Sequence, residues 1–151
     1  MSLAIALHVL AAVIWVGGMF YAYMAMRPAV AEVVDPSQRG ELWSQTLGRF
    51  FVWIWLSITV LLLTGYWMVF SVFGGMAGAG GHIHAMQGLG IVMMLLFLHV
   101  YFAPFRRLKQ AVAKGDAKEG QRRVAQIRRL VGINLILGLI VVVIGSGGRY
   151  L

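Results

Sequence analysis

Residues 3–26 have the sequence LAIALHVLAAVIWVGGMFYAYMAM, which contains no Lys, Arg, Asp or Glu. An α-helix rises about 1.5 Å per residue, so this segment is long enough to cross the roughly 30 Å of hydrocarbon in a bilayer. Three further apolar segments follow, at about residues 50–73, 83–103 and 130–147. The sequence therefore predicts an all-α integral membrane four-helix bundle, with one transmembrane domain over residues 1–151.

The composition of the whole chain also favours a membrane protein. Of its 151 residues, 60% are hydrophobic and 12% are charged, whereas about a quarter are charged in ordinary soluble domains. The chain has no Cys, which excludes disulfides, thiolate nucleophiles and metal sites held by cysteine. Metal chemistry would therefore use His, Met or carboxylate side chains, or a prosthetic group.

The 13 Lys and Arg residues are distributed unevenly between the connections. Residues 27–49 carry three of them and residues 105–129 carry nine, whereas the glycine-rich connection at residues 74–82 carries none. The positive-inside rule then places both basic connections in the cytoplasm and both termini on the opposite, periplasmic side. We expect the basic residues to set this topology and to contact the lipid bilayer, and we expect no nucleic-acid partner.

Histidine is almost the only ionisable residue type inside the predicted spans, and such residues are candidate functional sites. His8 and His84 each lie near the outer end of a span, so they share a depth, whereas His99 lies about 15 residues deeper than His84. Two imidazoles that face each other from different helices are what an axially ligated haem requires. The alternative is that each histidine only bonds to a neighbouring helix.

Two other residues are candidates for contact with a haem group. Trp15 shares a helix face with His8 and the small residues beside it, so its ring could wall the edge of a porphyrin. Arg149 is the one basic residue expected on the outer side, where it could pair with a haem propionate. An interfacial anchor is the alternative role for Arg149.

A copper site at His82, His84 and Met86 is a competing interpretation. These residues stand close together at the outer start of the third span, and imidazole and thioether groups are suitable ligands for monovalent copper. Met is also a routine packing residue in helix bundles. The residues alone leave both kinds of metal site open.

Two segments of the chain resemble known membrane families. The first span, ALHVLAAVIWVGGMFYAY, is similar to the opening of the CopD copper-resistance domain and of the related HemJ-type protoporphyrinogen oxidases. The third-span segment GHIHAMQGLGIVMMLLFLHVYFAPFRRLKQ resembles the matching HemJ-type segment. The HemJ-type pattern has a Lys where this chain has Met86. The residues that carry the resemblance are His8, Trp15, Gly18, His84 and His99.

The resemblance implies a multi-pass protein of the bacterial inner membrane that binds haem b. It implies His8 as a haem ligand, with His84 as its partner and His99 as a further candidate. The centre would have a redox or electron-transfer role, with a redox protein or a quinone as partner. Copper transport or resistance is one alternative, and protoporphyrinogen IX oxidation, which would make the chain an oxidoreductase, is another. Glycine-rich helix surfaces also favour a homodimer.

Overall fold

The computed structural model describes residues 1–148 and 150, and these residues form helices without any strand. The α-helices are α1 (Ser2–Tyr21), α2 (Arg27–Val33), α3 (Pro36–Phe73), α4 (Gly81–Val100), α5 (Arg106–Ala113) and α6 (Ala117–Gly147). Five-residue π-helical turns join α1 to α2 and α4 to α5, and a short 3-10 turn, Met76–Gly78, precedes α4.

Four continuous helical units result, and each is long and apolar enough to cross a membrane. They are Ser2–Val33, Pro36–Phe73, Gly81–Ala113 and Ala117–Gly147. Each of the four predicted apolar segments lies within one of these units. The predicted fold class, an all-α bundle of four membrane-spanning helices, is confirmed.

Successive units run in opposite directions, so the two ends of the bundle differ. The N-terminal end holds Met1, the connection at residues 74–80 and Gly148. The opposite end, here called the basic end, holds the turns at residues 34–35 and 114–116 and carries the basic connections. At this end Asp35 caps α3 and Asp116 caps α6, each by accepting a backbone N–H bond.

The four units associate as two pairs that meet on α6. Helix α1 packs chiefly on α3, and α4 packs chiefly on α6, which also contacts α1 and α3. Gly138 of α6 lies against side chains of both α1 and α4. A Cβ atom on Gly138 would be 2.9 Å from Val16 Cγ2 on α1 and 3.1 Å from Met93 Cε on α4. Both helices therefore approach α6 because this position has no side chain.

Buried and half-buried aromatic side chains form a layer across the middle of the bundle. Phe51 of α3, which is 2% exposed, meets the Phe97 ring edge-on at 5.3 Å and the Phe105 ring edge-on at 4.8 Å. Edge-to-face pairs of this kind add to the stability that burial provides. The residues of this aromatic layer are Trp15, Phe51, Trp55, Phe97, Tyr101 and Phe105.

Helices α3 and α6 continue past the predicted spans into a helical head at the basic end. This basic head consists of residues 27–49 and 106–129. A Cβ atom on Gly40 would be only 3.7 Å from the Cα of Gly120, so α3 and α6 cross closely there. Leu108 of α5 is fully buried beside this crossing. The head is thus a packed structure rather than a pair of loops.

We predict that Gly138→Ala lowers the free energy of unfolding by about 1–3 kcal/mol, because overpacking a filled interface has a cost of that size. The new Cβ would overlap Val16, a β-branched side chain with little freedom to move. Gly88→Ala is the matched control, because a Cβ there has open space around it, and it should leave stability unchanged or slightly raised. Unfolding by SDS, followed by circular dichroism, measures both. An equal loss in the two variants would contradict the packing assigned to Gly138.

Candidate functional site

His8 lies between α1 and α3, near the N-terminal end of the bundle. Its side chain is half-buried, and its Nδ1 atom is 2.8 Å from Oγ1 of Thr64 on α3. The two residues meet because each lies a short distance from that end, His8 after the start of α1 and Thr64 before the end of α3. An ionisable group inside a span is thereby bonded to the neighbouring helix.

Thr64 determines which nitrogen of His8 carries a proton. The Oγ1 atom of Thr64 is 2.6 Å from the carbonyl oxygen of Val60, and its one hydroxyl hydrogen is donated to that carbonyl. Oγ1 can then only accept a hydrogen bond from His8, so Nδ1 must be the donor. In the neutral imidazole, Nε2 consequently keeps its lone pair.

Gly65 allows the imidazole of His8 to lie directly against α3. A Cβ atom at this position would be 3.2 Å from Cε1 of His8, closer than ordinary van der Waals contact. The ring is therefore held on one edge by Thr64 and packed against the helix at Gly65. Metal-bound histidines are held in the same way, with the second ring N–H donated to a nearby oxygen. With Nδ1 bonded to Thr64, Nε2 is the ring nitrogen of neutral His8 that keeps a lone pair.

Trp15 follows His8 by about two helical turns and belongs to the aromatic layer. It is 2% exposed, and its ring lies 6.4 Å from that of Phe97. Its Nε1 atom and the Oδ1 atom of Asn134 on α6 are buried without a hydrogen-bond partner among the described residues. Both residues line a cavity of about 20 Å³, enough for one water molecule. One donor and one acceptor without partners thus belong to residues that line the same small cavity.

His82 and Met86 lie on one face of α4, against the end of α6. A Cβ atom on Gly148 would be 2.9 Å from Cβ of His82, and one on Gly145 would be 3.0 Å from Cε of Met86. A spacing of four residues puts both side chains on the same side of the helix. Further along α4, the buried residues Met93, Phe97 and Val100 continue this inward face.

His84 and His99 are exposed on α4. His84 lies about 200° around the helix from His82, because an α-helix turns once in 3.6 residues. The backbone N–H of His84 bonds to the carbonyl of Gly80, but its imidazole has no hydrogen bond to the described part of the chain. The structure therefore brings His8 together with Thr64, and His82 together with Met86, while His84 stands apart from both pairs. The pairing of His8 with His84 stays a prediction.

The other predicted site residues form no further cluster among the described residues. Arg149, the predicted propionate partner, lies outside the described residues. Within residues 1–148 and 150, no three His, Asp or Glu side chains gather into a metal-binding group. Gln87 of α4, which was not among the predicted site residues, donates a hydrogen bond to the hydroxyl of Tyr66 on α3 at 2.9 Å. This bond could have been predicted from the sequence, because an amide and a phenol stand near the outer ends of two spans.

One of three comparisons with known proteins gives a match. The model of the family described as copper resistance protein D, CopD, matches residues 44–147. The match thus covers most of α3 and all of α4, α5 and α6, and it does not include His8. No curated protein and no solved structure matches the chain.

The bond between His8 and Thr64 predicts that neutral His8 carries its proton on Nδ1. Nitrogen NMR of protein labelled at histidine should show this tautomer, and Thr64→Val should abolish the preference because the acceptor is removed. Thr59→Val is the matched control, since Thr59 makes the same bond to the carbonyl four residues earlier, that of Trp55, and contacts no histidine. Protonation of wild-type His8 on Nε2 would contradict the assignment.

Proposed function

The chain belongs to the copper resistance protein D family, and from this premise we propose that it carries a redox-active metal centre in the bacterial inner membrane. The centre proposed is a haem b for which His8 supplies an axial ligand at the N-terminal end of the bundle. Membership of the family and four apolar helices support a multi-pass membrane protein related to copper resistance. Haem binding, electron transfer and the inner membrane are the further steps of this proposal.

The arrangement of His8 is the observation that carries the proposal. Its Nδ1 atom lies 2.8 Å from Thr64 Oγ1, and donation of an Nδ1 proton to that oxygen would leave Nε2 to act as the ligand. A hydrogen bond at the second nitrogen fixes the orientation of a ligating ring and makes it a stronger donor. The arrangement of His8 thus fits that of a side chain that would bind haem iron through Nε2.

Haem needs few ligands from the protein, because the porphyrin itself supplies four nitrogens to the iron. A bound haem b would take up and release one electron at a time. In this chain Thr64 would orient the ligating ring, and Gly65 would keep it against α3. The apolar helices around it would exclude water, which affects the reduction potential of a haem. A redox protein or a quinone in the bilayer would be the electron partner.

Copper binding is the second candidate function, and a separate pair of residues favours it. His82 and Met86 share the face of α4 that lies against α6, and imidazole with thioether is a donor set suited to monovalent copper. The family description, copper resistance protein D, is consistent with this role. A copper ion would occupy this pair rather than His8, so the two candidates can be tested separately.

The orientation of the molecule in the membrane is also proposed. The basic head carries 12 of the 13 Lys and Arg residues of the chain, and such residues are retained in the cytoplasm. The N-terminal end, with His8 and His82, would then face the periplasm. Metal arriving from outside the cell would therefore meet the histidines first.

We predict that the purified protein shows the absorption spectrum of haem b, oxidised and after reduction by dithionite. His8→Ala should lose the pigment, because the axial ligand is removed. His99→Ala should keep it, since that histidine is exposed near the far end of α4. Metal analysis belongs to the same experiment. A colourless protein whose copper is lost in His82→Ala and retained in His8→Ala would refute the haem proposal and support the copper site.

We also predict that Thr64→Val weakens haem binding without removing the ligand. Loss of a hydrogen-bond partner to a ligating histidine lowers affinity by roughly 10- to 100-fold. Thr59→Val should bind haem as the wild type does, because Thr59 has no histidine beside it. Titration of the haem-free protein with haem gives all three affinities. Equal affinities for wild type and Thr64→Val would show that the Thr64 bond does not support the ligand.

A further inference from the structure

A cavity of about 220 Å³ opens in the basic head, at the opposite end of the bundle from His8. It lies between the α1–α2 junction, the first part of α3 and the first part of α6. Its volume is somewhat smaller than that of small-molecule sites, which hold roughly 300–1,000 Å³. The cavity could therefore enclose part of a ligand, such as a head group, while the rest extends outside.

Three arginines line this cavity together with apolar side chains. Arg27, Arg39 and Arg128 come from α2, α3 and α6 respectively. The apolar lining residues include Trp43 of α3 and Val131 of α6. Arginine residues from three different helices thus line one space, together with aromatic and aliphatic side chains.

Backbone carbonyls hold two of the three guanidinium groups in position. Arg39 donates to the carbonyls of Val34 at 2.9 Å and Ala31 at 2.7 Å, at the end of α2. Arg27 donates its Nε–H to the carbonyl of Tyr23 at 3.2 Å and stacks over the Tyr23 ring at 4.4 Å. Both terminal nitrogens of Arg27 remain available, and a guanidinium that is already oriented loses less freedom when it binds an anion.

No carboxylate lines the cavity, so its positive charge is not neutralised by the described part of the chain. The ion pairs recorded there join Glu119 to Arg122 and Arg123, which do not line the cavity. Asp35 and Asp116 are engaged as helix caps. An anion is therefore the ligand that the electrostatics of this cavity favour.

The cavity also lies at the boundary between the charged and apolar parts of the chain. Arg128 precedes the apolar segment that begins at residue 130, and Val131 belongs to that segment. Leu47 stands at the corresponding place on α3, just before the apolar segment at residue 50. A ligand in this cavity would have its charge among the arginines and its apolar part beside the spans.

We propose that this cavity is a binding site for the phosphate of an anionic phospholipid. Guanidinium groups match the geometry of phosphate oxygens, and basic pockets beside transmembrane helices are suited to anionic head groups. The phosphate would lie between Arg27 and Arg128, and the acyl chains would leave the cavity along the apolar spans. This site is separate from the proposed metal centre and does not depend on it.

Native mass spectrometry of the purified full chain can test this site with phosphatidylglycerol and phosphatidylcholine. Phosphatidylglycerol should bind more tightly, and Arg27→Gln and Arg128→Gln should each weaken its binding by roughly fivefold. Arg122→Gln is the matched control, because it removes the same charge from α6 at a side chain that is 76% exposed. It should bind the lipid as the wild type does. Ala125→Leu, which narrows the cavity without changing charge, should also weaken binding.

Three results would overturn the proposal. Equal losses in Arg122→Gln and Arg128→Gln would mean that the lipid responds only to the general charge of the head. Equal binding of the two lipids would show that the negative charge of the head group is not recognised. Displacement of phosphatidylglycerol by glycerol phosphate at equal concentration would identify a free phosphate ester as the ligand. The melting temperature of each variant without lipid confirms that it has folded.

Discussion

The hydrocarbon of a bilayer offers no hydrogen-bond partners, so polar groups in the spans bond mainly to other groups of the protein, and among the described residues only Trp15 Nε1 and Asn134 Oδ1 are buried without such a partner. Several side chains here meet that requirement on their own helix, as Thr59 and Ser146 do by donating to carbonyls one turn earlier. Others form bonds between helices, as Asn134 does with the carbonyl of Met93 at 3.2 Å. Thr64 takes part in both kinds of bond: its Oγ1 donates to the carbonyl of Val60 on its own helix and pairs with Nδ1 of His8 on α1.

The same requirement explains the two π-helical turns. Proline lacks an N–H group and its ring clashes with the preceding turn of an α-helix. One π turn, Ala22–Met26, ends just before Pro28, and the other, Tyr101–Phe105, contains Pro104. The helix widens locally at these positions instead of ending. Both turns lie where the spans enter the basic head, so the head is continuous with the membrane helices.

Hydropathy was sufficient to predict four spans and the end of the bundle that carries the basic residues. It could not indicate that α1 pairs with α3 and α4 with α6, because all faces of these helices are similarly apolar. The lengths of α3 and α6 were also missed, since their first turns are polar and resemble a connection.

The candidate site was also only partly predictable from the sequence. His8 was identified by its chemistry, as a rare ionisable group in a span, and its depth pointed to a partner on another helix. That the partner is Thr64 depends on how α1 and α3 are rotated against each other, which composition does not encode. The position of His84 on the exposed side of α4 likewise follows from which face of that helix meets α6.

The aromatic layer has a consequence for any ion that would cross this molecule. Its rings are tightly packed, with Phe51, Phe97 and Phe105 each no more than 3% exposed. A hydrated cation has no continuous polar route through such a layer, and stripping its water would be costly. In this conformation the bundle interior is a barrier to ions, and passage would require the two helix pairs to separate.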